Sequence, residues 1–216
     1  MTPRITQDDL GTHLDWEHDG ITPRMIDWFW SNMEKAFLLW HPSEHEPLSW
    51  AVPVRPGNLV GAVHVAPQTW SDGTFRNLYI RFEDPAVLAP DIQERIAYEH
   101  CVVAAGLGFG PESLEEGEPM GYRVHQWEKT DGGVVGRSSA IGRRVPETPE
   151  DGLVWAKHCA EEIGNWAAFL PQLYRLYRVV ERPEVNPFAD LTVVRVPSGV
   201  RYRFAKRLVG DPPHVR

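Results

Sequence analysis

The chain has 216 residues, 42% apolar and 24% charged, which suits one domain with a full hydrophobic core and argues against disorder. Its net charge of −8 comes with no concentrated Lys/Arg patch; Arg201, Arg203, Lys206 and Arg207 alternate with apolar positions and read as a solvated strand face, so a nucleic-acid partner is disfavoured. Residues 1–20 carry five carboxylates and no apolar segment, no run is long enough to span a membrane, and two cysteines make no disulfide scaffold, so a cytoplasmic location is expected.

In chain order, residues 1–21 show no sustained period and are expected to form an N-terminal arm. Thr22-Pro23 reads as a helix N-cap with proline at the first helical position. Met25, Trp28, Phe29, Met33, Ala36, Phe37 and Trp40 then recur at helical spacing, until His41-Pro42 stops the helix. Strand-like runs follow at residues 48–55, 58–69 and 76–82, parted by Pro56-Gly57 and Ser71-Asp72-Gly73. Gaps this short predict an antiparallel meander, because parallel strands need long crossovers. Residues 90–103 read as a short helix and 106–121 as an acidic, glycine-rich loop. Residues 122–129 and 134–143 flank Asp131-Gly132-Gly133 and predict a hairpin. Thr148-Pro149-Glu150-Asp151 caps the longest helical pattern, which runs to about residue 178 with an inner stripe of Val154, His158, Glu162, Trp166, Phe169 and Leu173. Pro171 is expected to kink it or to split off its last turn. After Pro183, residues 191–196 and 200–204 suggest a final hairpin around Pro197-Ser198-Gly199. The architecture expected is a curved antiparallel sheet clasping one long helix.

Two motifs carry chemistry. His158 and Glu162 are four apart on the long helix, so both side chains lie on one face and can converge on an ion; the same spacing also serves a plain His–Glu hydrogen bond or a surface pair. His41-Pro-Ser-Glu-His45 brings two further imidazoles to the end of a helix, and a His/Glu set with one open position is the catalytic zinc pattern. His64 and His125 lie in strands, where a histidine is more often a hydrogen-bonded core residue than a ligand, though both would point into the concave face if that face lines a pocket. Nine tryptophans favour a pocket for a flat aromatic ligand. No phosphate-binding loop and no Gly-x-Ser-x-Gly elbow occurs in the sequence.

The runs Met25-Ile-Asp-Trp-Phe-Trp, Trp40-His-Pro-Ser-Glu-His45, Val60-Gly-Ala-Val-His64-Val, Ile80-Arg-Phe-Glu-Asp-Pro85, His158-Cys-Ala-Glu-Glu162 and Phe169-Leu-Pro-Gln-Leu-Tyr174 fall in register. Together they resemble the 2,4-diacetylphloroglucinol hydrolase family, which includes phloretin hydrolase, over roughly residues 22–178. The resemblance implies a helix-grip (Bet v 1/START-like) α+β fold and hydrolysis of a carbon–carbon bond between an acyl group and a phenolic ring. It also implies zinc held by two histidines and two glutamates. Carried over by motif, the metal ligands are His45, His158 and Glu162, with Gln68 where the family has its second glutamate. That departure implies weaker zinc retention, or none. Phe37 stands where the family has a tyrosine, and His125 matches a histidine that holds substrate hydroxyls. On this reading His125 and His64 are the catalytic candidates, and Phe37, Trp28, Trp40 and Trp166 wall the substrate pocket.

The domain layout expected is an arm (1–21), a helix-grip catalytic domain (22–182) and a C-terminal hairpin extension (183–216). The expected partner is a small aromatic or polyketide substrate, with neither nucleic acid nor membrane, and a homodimer is left open. Two alternatives keep the pocket without hydrolysis: a cyclase or isomerase of natural-product biosynthesis, and a non-catalytic ligand carrier.

Overall fold

A computed structural model describes residues 3–179 and 191–203. The chain opens with two paired strands, β1 (Arg4–Gln7) and β2 (Thr12–Asp19), then leaves the sheet for helix α1 (Pro23–Ser31), a 3₁₀ turn and helix α2 (Phe37–Trp40). It returns at β3 (Ser49–Val52) and meanders through β4 (Val63–Thr69) and β5 (Phe75–Glu83). The short helix α3 (Pro90–Gln93) precedes β6 (His100–Gly108), β7 (Gly121–Lys129) and β8 (Gly133–Gly142). The long helix α4 (Pro149–Val179) follows, and β9 (Val193–Val196) and β10 (Gly199–Tyr202) form a separate two-stranded sheet. The main sheet has eight antiparallel strands in the order β1-β2-β8-β7-β6-β5-β4-β3, so the meander begins at the far edge and ends where β8 pairs with β2.

Both faces of this sheet are covered, and β6 records it residue by residue. Val102 and Ala104 belong to the main core, which includes residues of α1, α2 and α4. Cys101, Val103 and Ala105 belong to a second core with Ile92 of α3 and Val200 of β10. A strand buried on both sides has no polar alternation, which is why residues 100–103 read as the end of a helix in the sequence and are strand in the fold. The predicted helix over residues 25–40 is likewise interrupted: the 3₁₀ turn Met33–Lys35 separates α1 from α2. Residues 122–143 form the expected hairpin and α4 the expected long helix, with the Thr148 hydroxyl accepting from the Asp151 backbone N–H at its start. Helix α4 continues through Pro171.

Two expectations are corrected. Residues 1–21 do not form an arm: β2 pairs with β8 along its whole length, and Leu14 and Trp16 enter the core. Charges at Asp15, Glu17 and Asp19 hide this strand in the sequence, and Asp15 is paired with Arg137 at 3.1 Å. The helix-grip assignment is replaced by the coarser description of a sheet-dominated α+β fold. The sheet numbers eight strands, two of them from the presumed arm, and a further two-stranded sheet lies apart from it. Of the predicted terminal hairpin, residues 193–202 are present as β9 and β10, while 183–190 and 204–216 lie outside the described residues.

Gly136 of β8 faces Trp16 of β2, and a Cβ there would lie 2.2 Å from the indole ring. Gly136→Ala is therefore expected to destabilise the protein by about 1–3 kcal/mol, the usual cost of overpacking a filled core. Urea unfolding followed by tryptophan fluorescence measures it.

Candidate metal centre

The segment after α2 is pinned to α4. Trp40 stacks on Trp166 with ring planes 8° apart, and the Asn165 amide donates to the Trp40 carbonyl at 2.9 Å. From that anchor the chain turns through His41-Pro-Ser-Glu44 and places His45 against His158 and Glu162 of α4. His45 Nε2, His158 Nε2 and Glu162 Oε1 form a triangle with sides of 3.3, 3.2 and 3.1 Å. All three residues are buried.

The outer ring nitrogens are occupied. His45 Nδ1 donates to the Phe37 carbonyl at 2.9 Å, which turns Nε2 toward His158 and Glu162. His158 Nδ1 meets the Glu44 carboxylate at 2.6 Å. An imidazole whose second nitrogen is tied to a carbonyl or a carboxylate is the usual form of a metal-ligating histidine. The Phe37 ring, 3.8 Å from the His45 ring and 3° from parallel, keeps the imidazole from turning.

This donor set fits a metal ion. In a tetrahedral zinc site, bonds of about 2.0–2.1 Å put neighbouring donors roughly 3.3 Å apart, which the triangle reproduces. A single proton on His158 Nε2, donated to Glu162 Oε1 at 3.1 Å, also fits the triangle as a His–Glu hydrogen bond. Burial opposes ionisation of Glu162, yet His158 and His45 outweigh it and hold the carboxyl below its ordinary range. Burial likewise opposes protonation of His158, but Glu162 and Glu44 outweigh it and raise that histidine.

A second group, His41, Glu44 and His158, stands behind the first. The 2.6 Å contact between Glu44 and His158 is too short for two ligands of one ion and is a hydrogen bond. His41 stacks on His158 with planes 9° apart, and its Nε2 lies 3.4 Å from the half-exposed Glu161. This group supports the first from outside.

The triangle forms one wall of a cavity of about 400 Å³. Phe37, Trp40, His64, Gln68 and His125 line it as expected. Gln68 is joined to His45 by an isolated backbone bridge, but its carbonyl oxygen accepts from the Trp70 indole at 2.6 Å, so that oxygen is already engaged. Trp28 and Trp166 do not line the cavity: Trp28 packs on Tyr174 and Tyr177, and Trp166 on Trp16, Phe29 and Trp40. Trp30, Trp70 and Trp155 line it instead, with Arg76 and Arg123. Sequence reasoning missed these residues and Glu44; only the cross-strand pairing of Gln68 with Arg76 brings that arginine to the cavity face.

His64 and His125 are buried and uncharged at neutral pH. Burial, assisted by His45, lowers His64 to about 3. Burial, partly opposed by Glu162, lowers His125 to about 4. Neither can act as an imidazolium acid near pH 7.

No family model matches the chain, and no curated protein matches it. Among solved structures, a protein of Rhodobacter sphaeroides aligns over 79% of this chain and 99% of its own, at 16% identity and a TM-score of 0.48. A protein of Arthrobacter aurescens aligns over 79% and 90%, at 15% identity and 0.45. One of Nitrosomonas europaea aligns over 81% and 99%, at 14% identity and 0.43. Likenesses this distant carry no inference about function.

Two outcomes follow from the geometry. Glu44→Ala frees the His158 ring and is expected to weaken zinc binding about 10–100-fold, measured by competition with a chromophoric chelator. Acid is expected to destabilise the fold through His64 and His125. Below pH 6.5 the unfolded chain protonates them while the folded chain does not until about 3 to 4, so stability falls as pH drops through that window. The slope is about 1.4 kcal/mol per pH unit for each histidine. His125→Gln should flatten the fall by about that much in urea titrations between pH 6.5 and 4.5.

Proposed function

We propose that the protein is a cytoplasmic, zinc-dependent hydrolase that cleaves the carbon–carbon bond between an acyl group and a phenolic or polyketide-derived ring, a relative of the 2,4-diacetylphloroglucinol hydrolases. The observation that carries this reading is the convergence of His45 Nε2, His158 Nε2 and Glu162 Oε1 within 3.1–3.3 Å of one another on the wall of an aromatic cavity. The six motifs shared in order with that family support it.

His45, His158 and Glu162 would hold the ion, with Glu44 and the Phe37 carbonyl fixing the two imidazoles. Zinc in such a site polarises a carbonyl and makes water a stronger acid. The overall reaction consumes one water: its hydroxyl ends on the acyl carbon, giving a carboxylic acid, and its hydrogen ends on the ring carbon released from the broken bond.

The chain's own residues orient the substrate. His125 Nδ1 lies 2.8 Å from the Ser138 hydroxyl, which also accepts from the Trp16 indole. With Ser138 donating to Nδ1, His125 keeps its proton on Nε2 and, being neutral, presents a hydrogen-bond donor for a ring oxygen. Trp30 stands 4.9 Å from the His125 ring and Trp155 6.4 Å from it. These rings form an aromatic wall of the cavity. His64 Nδ1 has no hydrogen-bond partner among the described residues and is available to a second substrate oxygen.

Gln68 favours one competing reading. Its amide engages Trp70 where the family would place a carboxylate, and a centre with fewer anionic ligands suits a non-hydrolytic cyclase or isomerase. Elemental analysis of protein purified without chelator, paired with an assay on an acylphloroglucinol, separates the two. About one zinc per chain and release of the free acid are expected, with activity lost on chelation and at least 100-fold lower in His158→Ala. Metal-free protein that turns over no acylphenol would overturn the hydrolase reading.

A further inference from the structure

Among the lining residues, the charged groups are nearly all committed to one another. Glu147 takes the Arg123 guanidinium at 3.1 Å, Asp151 accepts from the Thr148 hydroxyl, and Glu162 faces the two histidines. Arg76 is different. Its Nε is buried and has no hydrogen-bond partner among the described residues, and its nearest carboxylate, Asp72 at the strand end, stands 3.9 Å from Nη2. That is an ion-pair distance beyond hydrogen-bond length.

The arginine is nevertheless held in place. Its guanidinium lies 4.5 Å over the Trp70 ring, and Trp70 in turn stacks on His158. Arg76 is also the direct cross-strand partner of Gln68. A carboxylate at position 68 would have been its natural counter-ion, as opposite charges facing across an antiparallel pair stabilise one another. The amide at 68 supplies no charge, and its oxygen is already used by Trp70. A fixed cation thus stands on the cavity wall one aromatic ring away from a candidate metal ligand, with its Nε–H unmatched by an acceptor among the described residues.

We propose that Arg76 is a specificity residue: the cavity takes an aromatic acyl compound bearing a carboxylate, which pairs with the guanidinium of Arg76. The guanidinium edge matches the spacing of carboxylate oxygens. Gln68 belongs to the same device, because its neutrality leaves the arginine for the ligand. The inference rests on the proposed hydrolase reading for the acyl group alone; the anion site stands on Arg76, Gln68 and Trp70.

The test is binding of a matched pair of probes, 4-acetylbenzoate and 4-acetylbenzamide, which differ in charge and hardly in shape. It is read by quenching of tryptophan fluorescence in chelator-treated protein, so that no metal can receive the carboxylate. Wild type is expected to bind the acid at least about tenfold more tightly than the amide, the usual scale for a charge-assisted pair. Arg76→Gln should abolish the preference while leaving amide affinity within about twofold, and Arg76→Lys should keep part of it. Gln68→Glu, which gives Arg76 an internal counter-ion, should also reduce it; retained amide binding and unchanged unfolding midpoints verify that the variants fold. Equal affinities in wild type, no binding of either probe, or a preference that survives in Arg76→Gln each overturns the proposal. A surviving preference in protein that carries no zinc leaves the anion site standing without the hydrolase, and a zinc hydrolase with no preference leaves the converse.

Discussion

The candidate site depends on the docking of the chain after α2 against α4. Trp40 and Trp166 stack face to face, Asn165 ties down the Trp40 carbonyl, and a turn of four residues then delivers His45. Without that anchor, His158 and Glu162 would be a helix pair with no third partner, since spacing of four along one helix supplies two ligands and no more. The aromatic cluster of Phe29, Trp30, Trp40 and Trp166 is accordingly more than core filling. It sets the distance between a loop and a helix at the scale of a coordination sphere, and well-packed interiors hold such distances tightly.

The same economy governs charge in the cavity. Buried ionised groups are costly unless paired, and around this cavity nearly every carboxylate has its partner: Glu147 with Arg123, Glu44 with His158, Glu162 with His45 and His158. Against that background the donor atoms of His45, His158 and Glu162 that converge on one point, and the Arg76 Nε with no hydrogen-bond partner among the described residues, are departures of opposite sign. The first calls for a cation and the second for an anion, and they lie on either side of Trp70. A bifunctional ligand, with a carbonyl toward the histidines and an acid toward Arg76, would answer both.

His64 and His125 show how position alters what a histidine can do. Both stand on strands of the sheet, deep enough that burial suppresses protonation. His158 is almost as deep, yet two carboxylates raise it. Acid–base duty at neutral pH therefore does not fall to the strand histidines; their use is as neutral hydrogen-bonding groups, one supported by Ser138 and the other with no hydrogen-bond partner at Nδ1 among the described residues.

Much of this was legible in the residues. The Asp131-Gly132-Gly133 turn, the Thr148 cap and the 3.6-residue stripe of α4 are local signals, and local signals survive without tertiary context, as does the His158/Glu162 pair. Where burial on both faces or frequent charge masked the period, the reading failed: β6 read as the end of a helix and the start of a loop, and β2 read as an arm although it pairs with β8. Trp28 and Trp166 lie on helix faces that look alike in sequence to the face bearing Trp30, and only packing decided which rings meet the cavity. Arg76 carried no motif, and Glu44 lay inside the His41–His45 run without a role of its own. They are brought to the site by strand register and by a loop folded back on a helix, contacts between residues far apart in the chain, which no sequence period encodes.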